Sequence, residues 1–310
     1  MFKNAFFLLL FVVSTTAIFG QIKNDTIALS AVTLKGSPIK NLLQNTAASV
    51  SVITAADINK SDGIILTSVL NKIPGLTMQQ GALNTNRITI RGIGARAQYG
   101  TNKIKAYFDG IPLTTGEGET TIDAIDLASI EKIEIIKGPN STSFGSGLGG
   151  VIQLFSRETP LLASFGKATV TFGSFGLLQQ RLSAGYDDSK TNIFSSYTDL
   201  QTDGFRANSS YNRKSLNLHG KQKMGSNGIL SFLGTFTRLK AFIPSSINET
   251  DLKNSPEKAA STWAAAQGYE SYDQSLFGLG YAHRFSEKWS MQTRVFSYFK
   301  DVYELRLFDI

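Results

Sequence analysis

The 310-residue sequence has no cysteine. Disulfides, thiolate metal sites and cysteine nucleophiles are therefore excluded together. Charge is sparse at 18% of residues, and the net charge of +7 is dispersed. No Lys/Arg block marks a nucleic-acid surface, and the excess reads as ordinary surface charge with a weak pull on anions. The two histidines, His219 and His283, lie in separate segments with no partner at ligand spacing, so neither reads as a metal ligand. No Ser-His-Asp arrangement stands out. The glycine-rich stretch Gly145–Gly150 lacks the Lys and Ser of a phosphate loop and does not open a helix. These absences point away from an enzyme. Beyond the first twenty residues there is no long apolar run, so a membrane location would require a β-barrel.

The chain is rich in strand-favouring aromatics, with 21 Phe and 10 Tyr. Its first twenty residues carry an address. Lys3 precedes the apolar run Ala5–Val13, and small residues follow at Ser14–Ala17. A run of that length is too short to span a bilayer and reads as a secretory signal peptide, cleaved after Gly20 or after Ala17. Residues 21–45 form a polar arm whose one β-prone stretch is Ile27–Gly36, closed by the breakers Gly36 and Pro38.

Residues 46–80 read β-α-β. Ser49–Thr54 alternates as a strand. Asp62 or Ser61 is placed to cap a short helix with Ile65, Val69 and Ile73 on one face, ended by Pro74 and Gly75. Strands follow at Asn86–Arg91 and Lys103–Phe108, joined by the loop Gly92–Asn102, then a turn at Asp109, Gly110 and Pro112. A short helix or turn leads into Lys132–Ile136. From Ile130 to Leu154, two apolar runs flank a loop with Gly138, Gly145, Gly147, Gly149 and Gly150, a loop that reads as tightly shaped.

After Arg157 the texture becomes amphipathic ribbon. Ala168, Val170 and Phe172 alternate with Thr169 and Thr171. Leu182, Ala184 and Tyr186 oppose Arg181 and Ser183, and Leu216 and Leu218 oppose Ser215 and Asn217. Phe277, Leu279 and Tyr281 oppose Gly278 and Gly280. Asn192–Gln201, Ile229–Leu239 and Met291–Phe299 are further candidates. Short joints (187–190, 225–228, 286–288) alternate with longer ones (202–211, 243–272), as periplasmic turns alternate with extracellular loops in transmembrane barrels. A β-sandwich shows similar alternation and stays the alternative.

In order along the chain stand Ile73-Pro74-Gly75, Ile90-Arg91-Gly92, Asp109-Gly110-Ile111-Pro112, Ile130-Glu131-Lys132-Ile133-Glu134, Gly138-Pro139, Phe144-Gly145 and Gly149-Gly150-Val151-Ile152. Together they resemble the plug of TonB-dependent outer-membrane receptors, with Phe144 where a Tyr is usual. The run Arg91–Leu127 looks most like ferric dicitrate receptors. The resemblance implies an α+β plug domain followed by antiparallel transmembrane β-barrel strands. Residues 1–20 would be the signal peptide, 21–45 the periplasmic arm, 46–157 the plug and 158–310 the first part of the barrel. The family's barrel has roughly 22 strands, whereas residues 158–310 yield about seven by their alternation, so the sequence reads as the N-terminal part of a longer receptor.

The resemblance also implies function. Such a receptor sits in the Gram-negative outer membrane, among its lipids, and imports a ferric chelate with energy relayed by TonB. No cofactor is implied, the ferric chelate being transported ligand. The segment Ala28, Leu29, Ser30, Ala31, Val32, Thr33 and Leu34 matches the place of the TonB box, which pairs with TonB as an added strand. Arg96, Gln98, Tyr99 and Thr101 lie in a loop that faces the outer vestibule in such plugs, where Arg96 suits an anionic chelate. Arg91 and Arg96 have an alternative use in internal ion pairs. Other siderophores, cobalamin or a glycan are alternative cargoes, and a secreted β-sandwich binding module is the alternative of another class.

Overall fold

The computed structural model describes residues 48–305, apart from 97–100, 116–117, 123–124, 140–143 and 146. Its first layer is a mixed sheet with short helices. Strand β1 (Ser49–Thr54) runs straight into helix α1 (Ala55–Asn59). Thr54 is the junction: its Oγ1 accepts the Asp57 N–H at 3.4 Å, and the Asp57 carboxylate accepts the Thr54 N–H at 3.0 Å, a reciprocal capping box. The expected cap at Asp62 or Ser61 is not formed. Helix α2 (Thr67–Leu70) is a single turn entered at Leu66 with no side-chain cap. Asp62 Oδ1 instead accepts the N–H groups of Ile64 and Ile65 and closes a turn ahead of it. A short polar side chain favours such local bonds over a helix start.

Strands β2 (Leu76–Ala82) and β3 (Thr85–Ile90) form a separate hairpin. Strands β4 (Ile104–Phe108), β5 (Ile111–Pro112), β6 (Ile130–Lys137) and β7 (Gly150–Ser156) complete a five-stranded sheet in the order β1-β6-β7-β4-β5, with β4 and β7 parallel. The two apolar runs flanking the glycine loop are thus antiparallel neighbours. Gly150 has φ +138°, and a Cβ there would lie 2.2 Å from the Ile136 carbonyl oxygen, so only glycine fits where β7 enters the sheet. Every residue of β7 is buried, as befits a strand covered on both faces.

The second layer is a seven-stranded antiparallel meander: β8 (Ser164–Phe172), β9 (Leu178–Asp187), β10 (Thr191–Thr202), β11 (Tyr211–Met224), β12 (Gly228–Phe242), β13 (Tyr269–Arg284) and β14 (Ser290–Leu305). The connection after β12 is shorter than expected because β13 already begins at Tyr269, and it carries helices α3 (Glu249–Asn254) and α4 (Ser261–Ala266). Connections at one end are short (188–190, 225–227, 285–289), and two of those at the other are long (203–210, 243–268).

The wall's polarity is inverted relative to a water-soluble sheet. Thr198, Arg213, Ser215, Asn217, Thr237 and Gln274 are buried on the face turned to the plug-like layer. Leu216, Leu218, Phe232, Phe236, Phe277 and Leu279 are exposed on the other. A sandwich would bury its apolar face against a second sheet; a transmembrane barrel turns it outward. The core lies between the layers. Ile133, Ile135, Ile152, Leu154 and Phe108 are fully buried, and Leu233 and Leu276 of the wall join the same cluster. No described helix is long and apolar enough to cross a membrane, which says nothing of crossing by strands.

Candidate functional site

Two regions of the inner layer carry chemistry. One is the turn after β3. Arg91 (φ +51°) donates its N–H to the Gly75 carbonyl at 2.7 Å, and Ile90 and Ile93 exchange two backbone bonds at 3.0 Å. At Gly94 (φ +100°) a Cβ would lie 2.6 Å from the Ile88 carbonyl oxygen, so the turn lies directly on the strand. Arg87, on β3, donates from Nη1 to the Ala95 carbonyl at 3.2 Å and from Nη2 to Gln79 Oε1. Arg96 leaves this perch exposed, and among the described residues neither it nor Arg91 forms an ion pair. Arg87 was not a sequence candidate. Its signal was present in the alternation of Asn86, Ile88 and Ile90 inward, which leaves Arg87 on the free face.

Gln98 and Tyr99 lie outside the described residues, as does Ala28–Leu34. Thr101 is placed differently from Arg96. It is 2% exposed, its hydroxyl accepts the Lys103 N–H at 3.1 Å, and its carbonyl accepts the Thr120 N–H at 2.9 Å. The residue anchors the end of the loop and does not present its side chain. Further along the same layer, Tyr107 donates its hydroxyl to the Phe144 carbonyl at 2.8 Å, and burial pushes the Tyr107 phenol above its usual range.

The other region is the seam between the layers. Asp126 caps the 3₁₀ turn Leu127–Ser129 and is buried. Its Oδ2 accepts the Thr198 hydroxyl at 2.6 Å, and its Oδ1 lies 3.7 Å from both Arg181 and Arg213. Three neighbouring wall strands thus converge on one inner-layer carboxylate. Lower on the wall, His219 Nε2 meets the Arg157 carbonyl oxygen, with its ring stacked on Phe194 at 5.0 Å. Thr159 donates its N–H to Asn192 and its hydroxyl to the Ile193 carbonyl. Towards the long-loop end, Asn84 at the hairpin tip takes the Tyr272 hydroxyl at 3.0 Å and donates to Glu270 at 3.1 Å. Ile111 packs against Gly278, where a Cβ would lie 2.4 Å from its Cδ1. No His, Cys, Asp or Glu grouping among the described residues could hold a metal ion.

The long loops are tied to each other. Arg206 donates from Nε to the Lys258 carbonyl at 2.9 Å and from Nη1 to the Ser245 carbonyl at 2.7 Å. Asn208, at φ +51°, donates to the carbonyls of Ile243 and Gly268. The two loops therefore form one folded rim above the wall.

Residues 42–151 match the family model of the TonB-dependent Receptor Plug Domain. They are the plug domain of a TonB-dependent receptor. Among curated proteins, the chain is similar to the iron-regulated outer membrane virulence protein of Vibrio cholerae. The two are 33% identical over 126 residues, 38% of this chain and 18% of that protein. It is also similar to the vitamin B12 transporter BtuB of Vibrio vulnificus, 27% identical over 139 residues, 44% of this chain and 21% of that protein. The chain thus spans about a fifth of the length of these relatives. Among solved structures, the unliganded ferric citrate transporter FecA superposes with a TM-score of 0.68 at 17% identity, over 84% of this chain and 41% of that one. The pyoverdine receptor FpvA of Pseudomonas aeruginosa superposes with a TM-score of 0.70 at 14% identity, over 84% and 39%. The superpositions extend past the plug into the wall, so the meander has the course of a TonB-dependent receptor's barrel. The plug and its wall place this chain in the outer membrane.

Proposed function

We propose that the protein is an energy-coupled receptor that binds a ferric chelate at the cell exterior and admits it to the periplasm, with TonB as its periplasmic partner. The observation that carries the cargo class is the plug turn at 91–96. It is pinned by backbone bonds and by Arg87, and it holds the Arg96 guanidinium exposed. An exposed guanidinium next to a pinned turn, with no ion pair among the described residues, suits a multiply anionic chelate through charge-assisted hydrogen bonds. Arg96, Gln98 and Tyr99 are assigned to cargo contact, Thr101 to holding the loop, and Ala28–Leu34 to strand addition on TonB. Ferric dicitrate is the chelate proposed, in line with the look of residues 91–127. The reading is transport without covalent chemistry.

The test is a titration of the purified full-length receptor with ferric dicitrate and, separately, with cyanocobalamin. Ferric dicitrate is expected to bind, and Arg96→Ala to weaken it by about 1.5–3 kcal/mol, less at high salt because Arg96 is exposed. Binding of cyanocobalamin alone would move the assignment to the cargo named for the BtuB relative. Growth of a deletion strain on single iron sources reports the same choice in cells.

A further inference from the structure

The plug passes into the wall through Arg157, Glu158 and Thr159, and each of these is pinned to β10 or β11 by a different chemistry. Thr159 donates its N–H to Asn192 Oδ1 at 3.1 Å and its hydroxyl to the Ile193 carbonyl at 2.6 Å. Glu158 pairs with Lys221 at 2.5 Å. Arg157 offers its carbonyl to Nε2 of His219. On the plug side the Arg157 N–H donates to the Ser129 carbonyl at 2.7 Å, so slack at this hinge reaches the start of β6. Of the three attachments, only the one through His219 uses a group whose charge ordinarily changes between pH 5 and 8.

The docked ring has a use for one N–H only. His219 is buried, with its ring stacked on Phe194 at 5.0 Å. Its Nε2 meets a carbonyl oxygen, so that nitrogen carries the hydrogen. Its Nδ1 is buried and has no hydrogen-bond partner among the described residues. Four charged groups act on the ring: Asp109 after β4, Arg157 and Glu158 in the hinge, and Lys221 on β11. They are two of each sign, and both carboxylates are engaged elsewhere. Asp109 Oδ1 accepts the Ser156 N–H at 3.1 Å, and Glu158 holds Lys221. A second N–H on the docked ring would therefore be a buried donor without an acceptor, which is disfavoured. Released into water, both nitrogens find partners, and the ring takes up a proton at about pH 6.5 like any free imidazole. Release thus binds a proton. By linkage the hinge is fully held above that pH and loosens below it, by up to about tenfold per pH unit.

We propose that His219 is a proton-sensitive clamp on the plug–wall hinge: its neutral ring holds the Arg157 carbonyl, and proton uptake frees residues 157–159 from β11. His219 lies near Met224, the short-turn end of β11, which is the periplasmic side of such a barrel. The clamp therefore answers to periplasmic protons, and acid slackens the exit of β7 from the plug. The proposal rests on how the plug is docked in the wall and is independent of cargo.

The test uses the full-length receptor in neutral detergent at about pH 7.5 and about pH 5, on either side of a free imidazole's titration. Hydrogen exchange over residues 155–163 is read by mass spectrometry. Labelling times are scaled to match the intrinsic chemistry, and the hairpin 76–90 serves as internal reference. Protection of 155–163 is expected to fall about tenfold or more at the lower pH, with the reference unchanged. His219→Gln keeps an N–H for the Arg157 carbonyl and cannot titrate, so its hinge should stay protected at both values. His219→Ala should be loose at both. His283→Gln, on the outer face of β13, and Glu158→Gln should each keep the parent's pH response. A heat-modifiable gel shift confirms that each variant is folded. A parent hinge equally protected at both values, or the parent's loss of protection repeated in folded His219→Gln, would overturn the proposal.

Discussion

A carboxylate taken out of water costs several kcal/mol unless cations and donors replace its hydration. Asp126 is buried and meets Thr198, Arg181 and Arg213 from three successive wall strands. Removing it strands positive charge in the seam, a loss of about 3–5 kcal/mol for a buried ion pair. Asp126→Ala in the full-length receptor is therefore expected to raise hydrogen exchange sharply over residues 127–137. Thr198→Ala, which deletes one neutral donor, should raise it far less, by the equivalent of about 1 kcal/mol. Equal exchange in Asp126→Ala and the parent would show that the apolar contacts alone hold the plug. None of this was legible in the sequence. Asp126 stood in a recognisable stretch, but strand alternation gives faces and not partners, so nothing showed that Arg181 and Arg213 converge on it.

At the scale of elements, patterning served the wall better than the plug. The wall strands alternate over nine to sixteen residues, with one face inward and the other outward throughout, so the period-2 signal survives. Its errors are at the ends, as at β13, where Tyr269–Ser271 continue the ladder inside a segment rich in loop residues. In the plug the elements are short and set by local bonds: Thr54 caps α1 because Asp57 stands three residues on, while Asp62, expected to cap the next helix, closes a turn ahead of it. Thr101 likewise looked presentable in sequence and proved buried, since its hydroxyl and carbonyl are both used by the loop. The element proposed to engage TonB, Ala28–Leu34, works only if its backbone is free to add as a strand. Proline removes an N–H and fixes φ, so Val32→Pro is expected to abolish uptake while leaving ferric-chelate binding intact. Normal uptake by that variant would place the TonB-engaging segment elsewhere.

The whole molecule joins two layers of different solubility. The plug has its own core, with Ile133, Ile135, Ile152 and Leu154 buried in a sheet whose other strands flank them. The wall buries only a small apolar cluster, Leu200, Tyr211, Leu239, Ala241 and Tyr272, which is partly covered by the plug's Ile64 and Leu83; its inner face otherwise carries buried polar residues such as Ser196, Asn217 and Gln274, and its outer face exposes Leu218, Phe232, Phe277 and Leu279. In the seven-stranded sheet β8 and β14 each pair on one side only. Unpaired strand edges are templates for other chains, and each unpaired backbone group facing lipid costs several kcal/mol. Expressed separately, residues 21–157 are therefore expected to be soluble, with a core large enough for a domain of that size. Residues 158–310 are expected to aggregate in the absence of detergent. Size-exclusion chromatography and thermal melts of the two pieces decide it. A monomeric, cooperatively melting 158–310 would mean that the apolar outer face finds cover within the wall itself, which an outward-facing barrel surface does not allow.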